Sequence, residues 1–138
     1  MDGEKKQDLF TDFDRFHALA VHKVVRDTER RVLGSDYGAT SYTTLAQADE
    51  LAGLLGLTPD RLLLDIGTGT GWPGLYLAKA TGCRVVLSDV PSEGLRIARK
   101  RSIDDGVGSR SQFVISSADA LPFADGRFDA VTHTDVLC

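Results

Sequence analysis

The run Leu62-Leu63-Leu64-Asp65-Ile66-Gly67-Thr68-Gly69-Thr70-Gly71-Trp72-Pro73-Gly74 leaves a chain few ways to fold. Leu62 to Ile66 is nearly continuous in apolar side chains and too short for a buried helix, so it suits a central parallel strand covered on both faces. The glycines that follow have no Cβ, which lets the backbone turn sharply and approach a ligand closely. Pro73 fits the first turn of a helix, where its missing N–H costs nothing. The expectation is a helix over 71–81, closed by Gly82. Its free N–H groups would face whatever lies beyond the carboxyl end of the strand.

Two ligand classes use such a turn. Gly69-Thr70-Gly71-Trp72-Pro73-Gly74 fits G-x-G-x-x-G, and Asp89 follows about twenty residues later, as in dinucleotide-binding sites. Asp65 weighs against that class: a carboxylate would repel a pyrophosphate on the turn and attract an ammonium group or its hydrogen-bonding neighbours. A cationic cofactor is favoured, with an NAD(P)-type oxidoreductase module or a non-catalytic oligomeric scaffold as the alternatives.

Asp65-x-Gly67-x-Gly69-x-Gly71 after an apolar strand, with Asp89 closing the next strand, resembles the class I S-adenosylmethionine-dependent methyltransferases. Ser117 to Val131 is similar to that family's adenine-contacting loop and fourth strand. The resemblance covers Leu62 to Cys138 and implies an α/β, Rossmann-like parallel sheet. The family's strand order is 3-2-1-4-5-7-6, and this sequence supplies strands 3-2-1-4. A chain truncated after the fourth strand is therefore expected, with that edge or the N-terminal helix open to self-association.

The resemblance further implies S-adenosylmethionine as cofactor, S-adenosylhomocysteine as product and a small-molecule methyl acceptor. It places Asp65, Gly67, Thr68, Gly69, Gly71 and Trp72 along the cofactor turn. Asp89 would accept the ribose hydroxyls, and Val90 would lie against the adenine. Asp119 would take the adenine amino group and the Ala120 N–H a ring nitrogen, while Tyr37 or Tyr42 would reach the methionine end. His133, just past the fourth strand, is the candidate base for an acceptor that must lose a proton.

Residues 1–56 read as a helical segment packing on or covering the cofactor site, and 57–138 as the cofactor-binding domain. After a charged start expected to fray as far as about residue 8, Leu9, Phe10, Phe13, Phe16, Ala20, Val21, Val24, Val25, Thr28 and Val32 recur at helical spacing. That predicts one long amphipathic helix, broken at most once and ending near Gly34. Its stripe is expected to pack on the sheet, a lid or oligomer interface being the alternative, and His17 and His22 are expected as surface or cap residues. Thr44 and Gln47 form a capping box opening a helix that stops at Gly56. Further strands are expected over 84–89, 112–116 and 128–132, with a helix over 93–105 capped by Ser92.

A formal net charge of −4 and a pI near 5.3 argue against nucleic acid as an obligatory partner. Two cysteines without paired spacing imply neither a disulfide nor a zinc site, and with no membrane span they point to a reduced cytoplasmic setting.

Overall fold

The computed structural model of the protein describes residues 3–38 and 41–134, without the side chains of Glu4 and Lys6. Expectations for residues 39–40 and 135–138 lie outside the described residues. Among those described are four parallel strands: β1 (Leu62–Ile66), β2 (Arg84–Asp89), β3 (Ser111–Ile115) and β4 (Ala130–Thr132). They form one sheet in the order β3-β2-β1-β4. Leu63 lies opposite Val85 on one side and Ala130 on the other, which sets the register of the central pair and of the β4 edge.

Helix α1 (Gly3–Ala18) leads through a short 3-10 turn (Leu19–Val21) into α2 (Lys23–Val32), and α3 (Leu45–Leu54) precedes β1. Helix α4 (Gly74–Thr81) connects β1 to β2, and α5 (Ser92–Asp104) connects β2 to β3. The core lies on one face of the sheet, where Leu63, Val85 and Leu87 pack with Leu75, Leu77 and Ala78 of α4 and Leu95 and Ala98 of α5. These are alternate strand positions, so the other side chains of the same strands face the opposite side.

Asp129 braces the start of β4 against β1. Its N–H donates to the Leu62 carbonyl at 2.9 Å, and its carboxylate accepts the Leu62 N–H at 2.7 Å and an Arg61 guanidinium N–H at 3.2 Å.

The N-terminal third departs from the sequence reading. The segment expected to fray is helical from Gly3, and the single break falls at Leu19–Val21. Most of the apolar stripe does not pack on the sheet: Leu9, Phe13, Phe16, Val21, Val24, Val25 and Val32 are between 38% and 76% exposed, while Ala20 is buried and Phe10 half-buried. These helices meet the body through polar side chains instead, with His17 and Glu29 buried and Arg26 paired to Asp36.

Helix α4 begins at Gly74 rather than Gly71, because Gly71 has a non-helical φ of +99° and the Gly74 N–H is held by Asp65. Pro73, in cis linkage to Trp72, stands at the N-cap. Ser92 is the first residue of α5 rather than its cap; Asp14 of α1 accepts the Glu93 N–H at 2.8 Å and supplies the capping oxygen. The Thr44–Gln47 capping box forms with both of its halves.

Candidate functional site

The turn between β1 and α4 lies at the carboxyl end of the sheet. Gly67, Gly69 and Gly71 take φ values of +66°, +54° and +99°, a region that residues with a Cβ rarely adopt. The Gly67 N–H donates to the Ser88 carbonyl at 2.7 Å and the Thr68 N–H to the same oxygen at 3.2 Å, tying the turn to β2. The Gly71 N–H closes it on the Thr68 carbonyl at 2.9 Å.

Asp65 holds the turn from beneath. Its side chain is 1% exposed, and its oxygens accept the Thr68 hydroxyl at 2.6 Å, the Thr132 hydroxyl at 2.8 Å and the Gly74 N–H at 3.0 Å. Burial pushes its carboxyl up to about 6, against the pull of those three hydrogen bonds. Its oxygens are engaged with the strand, turn and helix that surround it, so the structure places Asp65 as the group that shapes the turn.

Asp89 stands at the end of β2, facing Gly69. Oδ2 accepts the Gly69 N–H at 2.7 Å and Oδ1 the Val90 N–H at 2.8 Å. Burial raises its carboxyl above the usual range, while the two N–H donors pull the other way. Each oxygen retains a second lone pair, enough between them to accept two neighbouring hydroxyls. The Thr70 hydroxyl, close by in the turn, is buried without a hydrogen-bond partner. A half-buried carboxylate, a turn with glycine at every second position and an orphaned hydroxyl together suit a ligand that carries hydroxyl groups.

Val90 is half-buried beside Asp89, and Asp119 and Ala120 are exposed beyond β3. The Ala120 N–H donates to the Ser117 carbonyl at 3.1 Å, and Asp119 accepts the Ser117 hydroxyl, so both belong to one turn. The same segment is pinned by Phe123 and Phe128, which meet edge to face with centroids 5.0 Å apart. Trp72 points into the core at 2% exposure, between the rings of Tyr37 and Tyr76, and its indole N–H donates to the Thr43 carbonyl at 3.0 Å. Tyr42 is 87% exposed. His133 follows β4 directly and is exposed; Thr134 beside it lines a cavity of about 350 Å³ with Thr43, Gln47, Glu50, Leu51 and Leu54.

His17 is the residue that sequence reasoning misplaced. His22 is exposed, as a surface residue should be, but His17 is 5% exposed and wedged between the glycine turn and α5. A Cβ on Gly69 would stand 3.3 Å from Nε2, and one on Gly94 2.8 Å from Nδ1. Gly94 was the available signal: a glycine in the first turns of a helix sacrifices about 1 kcal/mol of propensity, which implies a close neighbour.

A family model described as methyltransferase domain matches residues 63–138. The ubiquinone/menaquinone biosynthesis C-methyltransferase UbiE of Ectopseudomonas mendocina (strain ymp) is 41% identical over 81 residues, 57% of this chain and 32% of that protein. Methyltransferase GfsG of Streptomyces halstedii is 34% identical over 97 residues, 67% of this chain and 35% of that protein. This chain thus spans about a third of the length of either relative. In fold it is similar to YjhP of E. coli, with a TM-score of 0.62 at 21% identity over 86% of this chain and 43% of that one. It is also similar to the [4+2]-cyclase SpnF, with a TM-score of 0.54 at 31% identity over 62% of this chain and 33% of that one. With its glycine turn, the acid closing β2 and the segment beyond β3 all inside a match that takes in more than half of its residues, the chain belongs to the methyltransferase-domain family.

Proposed function

We propose that this chain binds S-adenosylmethionine across the glycine turn and forms the cofactor-binding part of an enzyme that methylates a small molecule. The observation that carries the reading is Asp89, held beside Gly69 with one lone pair free on each oxygen for the two ribose hydroxyls. Bound there, the cofactor would supply a sulfonium methyl group. Val90 would form the apolar wall of the adenine pocket, and Asp119 would accept from its amino group. Gly67, Thr68, Gly69 and Gly71 would bring backbone close to the methionine portion, in a shape that Asp65 maintains from below.

The acids around the turn favour this cofactor over a dinucleotide. Asp89 and Asp14, with Asp65 beneath the turn, would oppose a pyrophosphate and favour a sulfonium or an ammonium group. Methyl transfer is an in-line displacement, so positioning supplies much of the rate, and His133 would act only where the acceptor must release a proton. Tyr42 would close over the methionine end from its exposed loop.

The relatives named as methyltransferases support methyl transfer as the reaction, and the net charge of −4 argues against nucleic acid as the acceptor. The buried, unpaired Cys83 suits a reducing compartment such as the cytoplasm. Among the described residues no helix is long and apolar enough to cross a membrane. A second copy of the chain would dock on the β4 edge, where Val131 is exposed, or on the apolar face of α1 and α2.

Calorimetric titration of the 138-residue chain with S-adenosylmethionine and S-adenosylhomocysteine, repeated on Asp89→Ala, tests the proposal. Saturable binding that weakens at least tenfold in the variant is the expected result. Binding of a nicotinamide dinucleotide by a folded sample that ignores both sulfur ligands would overturn it.

A further inference from the structure

Helices α1 and α2 are anchored very differently. Behind the joint at Leu19–Val21, α2 is tied down: the buried Glu29 carboxylate accepts the Ser35 hydroxyl at 2.9 Å, the Tyr37 N–H at 3.0 Å and the Gly38 N–H. Asp36 pairs with Arg26 and Arg30 of α2 at 3.0 Å each and with Arg101 of α5 at 2.6 Å. The joint itself is clamped, since a Cβ on Gly38 would stand 2.5 Å from the Ala20 carbonyl oxygen.

Ahead of the joint, α1 lies along α5 with Leu9, Phe13 and Phe16 all more than 40% exposed. Among the described residues its polar hold on the body is concentrated in one turn, at Asp14 on the Glu93 N–H and His17 between Gly69 and Gly94. A rigid arm on a fixed pivot, gripped at one point beside Asp89, has the mechanical form of a lid.

The grip is of a kind that can let go. His17 Nδ1 is buried with no hydrogen-bond partner, so the docked ring forgoes a bond that water would supply on release. The charged groups around it are Asp14 on α1, Asp89 at the end of β2 and Glu93 on α5, the last paired with Arg96.

We propose that α1 is a pivoting lid over the cofactor turn, that His17 is the positioning residue latching it, and that protonating His17 opens it. The role as a cofactor lid rests on the function proposed above. Burial lowers the imidazole's proton affinity below the ordinary value of 6.5, and the three acids only partly offset this. The docked state therefore holds neutral His17. Docking is at full strength above the free imidazole's value and weakens as pH falls through it and toward the docked one.

The test joins a ligand-free readout to a ligand-bound one, on the full chain and on His17→Ala and His17→Gln. Amide hydrogen exchange at constant pH should rise at least tenfold over α1 in His17→Ala while the β1 and β2 amides keep their protection. Stopped-flow release of S-adenosylhomocysteine should quicken several-fold between pH 7.5 and pH 5.5 in the native chain. In His17→Gln, which fills the same space without titrating, that pH dependence should shrink to the part carried by the titration of Asp89. Unchanged α1 exchange in His17→Ala would overturn the latch, and an undiminished pH dependence in His17→Gln would overturn the protonation step. Because exchange needs no ligand, a failure to bind S-adenosylhomocysteine would count against the cofactor reading and the lid's role there, while exchange still decided the latch.

Discussion

Asp65 and Gly74 fit each other in two ways at once: Oδ2 accepts the Gly74 N–H at 3.0 Å, and a Cβ on Gly74 would stand 2.5 Å from the same oxygen. The glycine that opens α4 is there for proximity, since a carboxylate must reach a backbone donor that any side chain would shield. Gly74→Ala should therefore cost about 1–3 kcal/mol, the usual range for overpacking a tight interior. Thermal unfolding checks this through a melting point lowered by several degrees. An unchanged melting point would mean that the carboxylate can withdraw freely.

The pH dependence of stability should carry the signature of Asp65. Its carboxyl is raised to about 6 by burial, whereas the unfolded chain ionises near 3.8. A raised acid favours the fold below its unfolded value, and that advantage is lost as pH rises from about 4 to about 6. The loss is on the order of 3 kcal/mol. Asp65→Asn should flatten this slope while keeping the contacts, with the amide oxygen toward Gly74 and Thr68 and the amide N–H toward the Thr132 hydroxyl. Denaturant titrations of both chains between pH 4 and pH 7.5 make the comparison, and parallel slopes would refute the assignment.

For Asp89 the matching variant is Asp89→Asn, which keeps the size but loses the charge and one acceptor. Affinity for S-adenosylhomocysteine should fall at least tenfold, about 1.4–3 kcal/mol, and the melting point should fall as well, since the amide NH2 must face the Gly69 or the Val90 N–H. Because burial raises this carboxyl, binding by the native chain should also weaken as pH drops through the acid range. Calorimetry at two pH values tests both points, and equal affinity in the variant would remove Asp89 from the site.

Tyr37 ties the segment before α3 to the sheet domain. Its hydroxyl donates to Asp105 at 3.0 Å, its face carries the Arg101 guanidinium at 4.2 Å, and its ring meets Trp72 at 5.1 Å. Tyr37→Phe should cost about 0.5–1.5 kcal/mol for the hydrogen bond, and Tyr37→Ala about 3–5 kcal/mol once the stacked ring is gone. Chemical denaturation followed by the fluorescence of Trp72 measures both, and equal losses would show that the ring adds nothing.

The sheet domain was legible because its signals are local. The Leu62–Ile66 run, the glycine turn and the strand ending at Asp89 each announce themselves within a few residues, and parallel pairing follows from their spacing. The Thr44–Gln47 box was equally plain, since a cap and its reciprocal partner sit three residues apart. What escaped the sequence was long-range and polar. Nothing near Asp14 says that it will cap α5 seventy-nine positions later, and nothing near Asp65 names Thr132 as its donor. The stripe from Leu9 to Val32 misled for a related reason: helical periodicity shows which face is apolar and leaves open whether anything covers it.

Thr132 sits opposite Asp65 in the β1–β4 pairing, and its hydroxyl completes the carboxylate's set of donors. A slip of one residue would bring Val131 or His133 to that place and turn the neighbouring side chains to the wrong face. The buried acid then works as an inspector of strand register: β4 in any other alignment leaves a lone pair stranded in the core, and the turn above it loses its foundation. Alignment of β4 and competence of the ligand cradle are in this way checked by a single carboxyl group.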